Sequence, residues 1–330
     1  VNLSTNATIS ARWSSNTSTQ TFDLAEGNGW RKAYVLAIDE AGNLSPSIWY
    51  SDQILMDNTG PDSGTVTLRG KDRNFVLGDR NTFNDALTRD PRVFVNLAGF
   101  ADTDPDGFGP DGASGIADMR VWEEGDTEPT TWESYRTEFY FDVSADDDTK
   151  TLNVRLRDNA GNINPAESLP TGVQDSIILD TTPPADATVI INEGAIYTND
   201  RLVDIAFYLG TSDNAVQWRT GRGGTWQNCA AATCSSNSSS PDTIIDLDLN
   251  TVMAGGVRDG EARVNLEFQD EAGNVSTPFS DFIILDRTAP AVVEILSVAP
   301  RTTSAFVDID DSSDTLSGVA SYEAVAMRQG

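Results

Sequence analysis

Between Val264 and Phe268, apolar Val264, Leu266 and Phe268 alternate with polar Asn265 and Glu267. This is the period-two pattern of a strand with one buried face. Two residues later the chain reads Asp-Glu-Ala-Gly-Asn, turn chemistry in which Gly and Asn accept positive φ. A loop follows, then the apolar run Ile283–Leu285, then Asp286. Pro290 ends the sheet there and stiffens what comes next. The succession occurs three times, at Ala33–Pro61, Leu152–Pro184 and Val264–Pro290. Each copy predicts strand, Asp-x-Ala-Gly-Asn turn, loop, closing strand, Asp and a Pro-containing linker.

The closing aspartates, Asp57, Asp180 and Asp286, recur at intervals of a little over one hundred residues, the size of a β-sandwich domain. The spacing predicts complete domains at 58–181 and 182–287. Residues 1–57 read as the back part of a preceding domain and residues 288–330 as the front part of a following one. In agreement, Ser114-Gly115-Ile116-Ala117 returns as Ser317-Gly318-Val319-Ala320. The repeats are not uniform. Phe75–Arg92 and Asp102–Ala113 read as insertions in the first complete domain. A loop with both cysteines and the serine run Ser235–Ser240 distinguishes the second.

Composition narrows the chemistry. With 51 acidic and 22 basic residues the chain carries a formal charge of -29. Such a field repels nucleic acid and anionic membranes and suits the holding of hard cations. Histidine is absent, which removes the commonest general base and excludes a Ser-His-Asp arrangement. No stretch reaches the roughly 20 apolar residues of a membrane-spanning helix. Val1 reads as the start of a mature or excised piece. The two cysteines, Cys229 and Cys234, are expected to form one short disulfide, which places the protein in an oxidising compartment. Closing so short a loop steadies little beyond its own tip.

The run from Ala187 through Trp226, followed by Val264–Pro290, resembles the bacterial immunoglobulin-like repeats of large extracellular surface adhesins. Their hallmark is a strand, Asp-x-Ala-Gly-Asn-x-Ser, and a strand closing in Asp-Thr-Thr-Pro-Pro. The resemblance covers 182–287 throughout, 58–181 with insertions, and both partial ends. It implies an all-β chain of tandem immunoglobulin-like antiparallel β-sandwiches, arranged as an elongated rod at the cell surface. It also implies calcium held between successive domains. The partners it implies are neighbouring repeats, identical chains in a filament or surface layer, and a host or environmental surface ligand.

On an immunoglobulin-like scaffold the Asp-x-Ala-Gly-Asn turn lies at the end where the chain enters from the preceding domain. Asp57 is thereby brought toward Asp158. The early loop of that domain holds Asp102, Asp104 and Asp106 followed by Gly107, which resembles the opening of a calcium loop. The twelfth position of the run is Ala113, so this is not an EF-hand, and Asp57 or Asp158 would complete the ligand set. By the same reasoning Asp180, Asp213 and Asp270 form a second set. Asp286 forms a third with Asp308, Asp310, Asp311 or Asp314, its remaining turn lying beyond Gly330. Calcium suits these sites better than magnesium, which keeps its waters and demands strict octahedral geometry. The competing reading is that each Asp simply closes a tight turn on backbone N–H groups.

Paired carboxylates can hydrolyse glycosides, but these lie in Gly/Pro turns with no aromatic-lined pocket between them, and no enzyme is expected. Trp122, Trp132, Trp218 and Trp226 fall in or beside strands. Packing is the expected role, and Trp122 and Trp218, on corresponding strands, are expected to share it. Asn-x-Ser/Thr sequons occur at Asn2, Asn6, Asn16, Asn43, Asn237 and Asn274. The function these readings give is a structural segment of an extracellular stalk, fibre or adhesin stiffened by calcium. The alternative is a ligand- or carbohydrate-binding module that uses the inserted loops.

Overall fold

A computed structural model describes residues 27–327, apart from positions 48, 51, 78, 104–112, 170, 211–213, 222, 232, 253–255 and 257. The calcium-ligand candidates Asp104, Asp106 and Asp213 lie outside the described residues. Among the described residues the fold is nearly all β, with one helical turn, Leu249–Val252, and two short 3-10 turns. The chain divides into two compact units, Val1–Thr181 and Thr182–Gly330.

The first unit contains seven principal strands: β1 (Thr65–Arg69), β2 (Leu87–Thr88), β3 (Arg92–Ala98), β4 (Ile116–Glu123), β5 (Glu138–Asp142), β6 (Asp148–Asp158) and β7 (Val173–Leu179). One sheet has the order β5-β3-β1 and the other β2-β7-β6-β4, with the short strand Glu133–Ser134 added beside β4. The second unit repeats this wiring. Its sandwich strands are β8 (Ala187–Ile191), β9 (Tyr197–Thr198), β10 (Leu202–Leu209), β11 (Gln217–Thr220), β12 (Asp242–Asp248), β13 (Gly260–Gln269) and β14 (Phe279–Leu285), and Ile295–Pro300 pairs with Ala305–Ile309 in a separate hairpin. The sheets are β8-β10-β12 and β9-β14-β13-β11, with Gln227–Asn228 beside β11.

Alternation explains the layers. In the first unit Val66, Leu68, Val93, Val95 and Leu97 point inward from one sheet. They meet Met119, Val121, Leu152, Val154, Leu156, Ile177 and Leu179 from the other. The second core is more aromatic, with Phe207 against Phe268 and Trp218, at ring centroids of 5.4 and 5.6 Å. Each unit also has one parallel pairing, β2 with β7 and β9 with β14. It runs through the closing aspartate: Asp180 N–H donates to Thr88 O at 2.9 Å and Asp286 N–H to Thr198 O at 2.8 Å.

Two expectations change. Only the first half of Phe75–Arg92 is an insertion, because Thr88-Arg89-Asp90 matches Thr198-Asn199-Asp200 bond for bond. In both, the Asp N–H donates to the Thr hydroxyl at 3.1 Å. The extra segment leaves β1 at Gly70 and returns at Asn84, where the two backbones exchange hydrogen bonds of 2.7 and 2.9 Å. Gly70 is required there, since a Cβ would stand 2.1 Å from the Cβ of Thr88. Trp122 and Trp218 also differ. Trp218 pairs with Phe268 and packs on the core. Trp122 pairs with Asn153 and lies outside the core cluster, under the guanidinium of Arg155 at 5.5 Å.

Candidate metal centre

The Asp-x-Ala-Gly-Asn turn is built by its aspartate. At the end of β6, Asp158 Oδ1 accepts the N–H groups of Gly161 and Asn162 at 2.7 and 2.8 Å, and Oδ2 accepts Asn162 Nδ2 at 2.8 Å. Asp270 repeats this with Gly273, Asn274 and Asn274 Nδ2 at 2.7, 2.8 and 3.0 Å. Asp39 does the same with Asn43 N–H and Nδ2, at 2.7 and 2.8 Å. Turn closure is therefore a real job of this residue. The turn's asparagine has a second task, because Asn162 Nδ2 also reaches Asp57 O and Thr59 O, at 2.9 and 3.2 Å. The preceding linker is thereby tied to the turn.

That tie brings three carboxylates together. Asp57, Asp102 and Asp158 each offer an oxygen, all within 4.8 Å of one another. Asp57 Oδ1 accepts from the N–H and hydroxyl of Thr59, both at 3.2 Å, and its Oδ2 from Ser114 N–H at 2.8 Å. Asp102 Oδ2 accepts Gly115 N–H at 2.6 Å. Asp102 Oδ1 is buried without a hydrogen-bond partner, an expensive condition for a carboxylate oxygen. Burial pushes the Asp102 carboxyl above its ordinary value, and the charges of Asp57 and Asp158 push the same way, against the N–H of Gly115.

The donor set fits a hard cation. Oxygens bound to calcium at about 2.3–2.6 Å can be at most about 5 Å apart across the ion, and these three lie within that span. Hydrogen bonds from the chain orient Asp57 and Asp158, while one oxygen of Asp102 has its demand unmet. A cation would satisfy that oxygen and relieve the repulsion.

No protein-family model and no curated protein matches the chain. Among solved structures it is similar to the fibronectin(III)-like modules of Clostridium thermocellum CbhA. The identity is 11%, the TM-score 0.31, and the match covers 67% of this chain and 94% of that one. It is also similar to SGBP-B of the Bacteroides ovatus mixed-linkage glucan utilization locus, solved with a mixed-linkage heptasaccharide. There the identity is 11%, the TM-score 0.16, and the match covers 87% of this chain and 61% of that one.

The other expected ligands are distributed differently. Asp286 Oδ2 accepts Ser317 N–H at 3.0 Å, as Asp57 accepts Ser114 N–H. Asp314 accepts the same Ser317 N–H at 2.9 Å, together with those of Leu316 and Gly318, both at 3.0 Å. The latter two hold its carboxyl below the usual range. Asp314 is thus the neighbour of Asp286. Asp310 and Asp311 bond to each other instead, Asp311 N–H donating to Asp310 Oδ1 at 2.9 Å. Asp180 contributes its backbone to the parallel pairing, and Asp270 closes its own turn. Cys229 and Cys234 are disulfide-bonded, Cα atoms 4.8 Å apart, and both are buried.

Two repeated carboxylate or amide roles and one repeated ring contact are not among the sequence expectations. Asp175 Oδ2 accepts Leu68 N–H at 2.7 Å and Asp281 Oδ2 accepts Ile191 N–H at 2.9 Å, each joining the two sheets of its unit. Asp147 accepts from the N–H and hydroxyl of Thr181, at 2.8 and 2.7 Å. Asp259 does the same for Arg287 N–H and the Thr288 hydroxyl, at 3.2 and 2.7 Å. Asn28 holds the corresponding place for Asn58 and Thr59, at 2.8 and 3.1 Å. The available signal was position: each stands one residue ahead of the strand that precedes the turn. Finally, Arg120 stacks on Trp132 at 4.0 Å and Arg219 on Trp226 at 4.3 Å, a repeated cation–π pair.

Proposed function

We propose that the chain is a non-catalytic segment of an extracellular stalk, fibre or adhesin of tandem immunoglobulin-like domains, with calcium where one repeat passes into the next. The convergence of Asp57, Asp102 and Asp158, with a buried unpartnered oxygen on Asp102, carries this reading. Asp57 closes one repeat, while Asp102 and Asp158 belong to the next. An ion shared by all three would fix the direction in which the chain leaves a repeat, and a series of such sites would make a stiff rod. Calcium supplies only charge and coordination here. The protein's own contribution is to hold Asp57 through Ser114 and Thr59, and Asp158 through Gly161 and Asn162. Asp104 and Asp106, in the same loop as Asp102, are the natural source of further oxygens, since calcium takes six to eight.

The Cys229–Cys234 disulfide supports an oxidising, extracellular setting. Among the described residues no helix is long and apolar enough to cross a membrane. The test is titration of the chain with calcium by calorimetry, paired with thermal melting in calcium and in chelator. Binding and a raised melting temperature are expected, and both should be lost in Asp102→Asn. A melting temperature indifferent to calcium would remove the metal from the proposal.

A further inference from the structure

The extra segment between Gly70 and Asn84 does not hang in solvent. Buried Asp72 gathers its two ends, accepting Asn74 N–H at 2.8 Å and Asn84 Nδ2 at 2.9 Å. From there the segment folds over the outer face of the sheet β5-β3-β1. Phe75 packs at a tilt on Phe83, Phe83 stacks on Phe94, and Phe94 meets Tyr140 edge to face, at 5.1, 5.7 and 5.4 Å. Phe94 is on the outer face of β3 and lies buried between Phe83 of this segment and Tyr140. The second unit has the same strands and no such segment, so the fold does not need the cover.

Beside the aromatic stack lies an open groove of about 300 Å³, lined by Thr67, Arg69, Asn81, Phe94, Asn96 and Glu138. Strand register orders these residues. Thr67, Asn96 and Glu138 form one row across the three strands, and Arg69, Phe94 and Tyr140 form the next. A hydroxyl, an amide and a carboxylate thus stand in line beside a cation and two rings. Asn81, on the 3-10 turn Arg80–Thr82, lines the groove from the inserted side, and Asp79 holds that turn by accepting Asn81 N–H at 3.0 Å. Asp85 holds Arg69 through a 2.9 Å contact.

We propose that this groove binds a neutral oligosaccharide. Mixed donors and acceptors on a rigid sheet match the paired hydroxyls of a sugar, and the half-exposed ring of Tyr140, in the neighbouring row, suits its C–H face. An apolar ligand would find Phe94 as its only apolar lining residue. An anionic ligand would meet Glu138 and the field of a chain with charge -29. The proposal gives the inserted segment a binding role and is independent of the calcium reading.

The test is affinity electrophoresis of the whole chain, in calcium and in chelator, through gels containing soluble β-glucan, mannan or galactan. Retardation by at least one is expected. Asn96→Ala and, on the exposed turn, Asn81→Ala should each weaken it at least tenfold with the melting temperature unchanged. The Asn81 variant serves if Asn96→Ala unfolds. Retardation by none of the three polysaccharides, or retardation that both variants leave intact, overturns the proposal. Retardation that persists in chelator, with a melting temperature indifferent to calcium, would sink the metal site alone.

Discussion

The two units have identical strand order, the same parallel pairing and the same aspartate-closed turn, yet they differ in what lies on the frame. The first has one ring, Phe139, among the buried aliphatic side chains of its core, and a segment folded over the outer face of its three-stranded sheet. The second has two buried rings, Phe207 and Phe268, in contact with each other, and a disulfide-bearing loop. Most repeated features are backbone-directed: Asp158 and Asp270 in the turns, Asp175 and Asp281 between sheets, Asp147 and Asp259 at the exits. The Arg–Trp pairs are a repeated side-chain feature, and the features that differ are the added segments and the packing they bring. Much of the chain's acidity is therefore structural, because a carboxylate accepts two or more N–H groups where a neutral side chain accepts fewer.

The largest effects should come from the cores. Phe268→Ala removes a ring that Phe207, Trp218 and Phe279 pack against, and should cost about 3–5 kcal/mol. Leu156→Ala in the first core should cost about 2–5 kcal/mol. Hydrogen exchange read by mass spectrometry should show each loss confined to its own unit, and spreading into the other would deny their independence. Next come the turns. Asp158→Ala and Asp270→Ala each remove the side-chain acceptor of two turn N–H groups, the one at Gly273 buried, and should cost about 1–3 kcal/mol in chelator. In urea melts the loss for Asp158→Ala should be larger in calcium than in chelator. Equal losses under both conditions would reduce Asp158 to a turn residue.

A smaller loss, about 2 kcal/mol or less, is expected from replacing both cysteines with serine, since the loop closed is short. Local proteolysis near Ser235–Ser240 should change more than the global melt. The smallest effect concerns pH. Hydrogen bonds from Thr288 and Arg287 hold the Asp259 carboxyl below its ordinary value of 3.8. Its contribution is present above that value and fades as pH falls through the lowered one. Asp259→Asn should flatten the acid limb of the stability curve slightly, and an unchanged limb would show that the anchor contributes nothing.

The strands and turns were legible because alternation and Asp-x-Ala-Gly-Asn are local signals. Asp57, Asp102 and Asp158 could be brought together because the turn, the linker and the early loop share one end of a sandwich. Asp308, Asp310, Asp311 and Asp314 were equal candidates beside Asp286, because which of them reaches it depends on the loop that carries Asp314 toward Ser317. Trp122 and Trp218 looked equivalent by strand. Register decides otherwise, since Trp218 stands opposite Phe268 and Trp122 opposite Asn153. The groove was illegible because Phe83 and Phe94 are neighbours only after the segment folds back.

The parallel pairing of β2 with β7 has a consequence under tension. A pull applied to the chain ahead of β2 and after β7 drags these two strands past each other along their length. The bonds from Ile178 to Ala86 and from Asp180 to Thr88, both 2.9 Å, then carry the load together and do not break in succession. Single-molecule stretching of Thr88→Pro, whose ring strains this pairing, should give a lower rupture force. The closing aspartate is also the last residue of that loaded clasp, so a cation gripping its carboxylate would be fastened where the pull arrives.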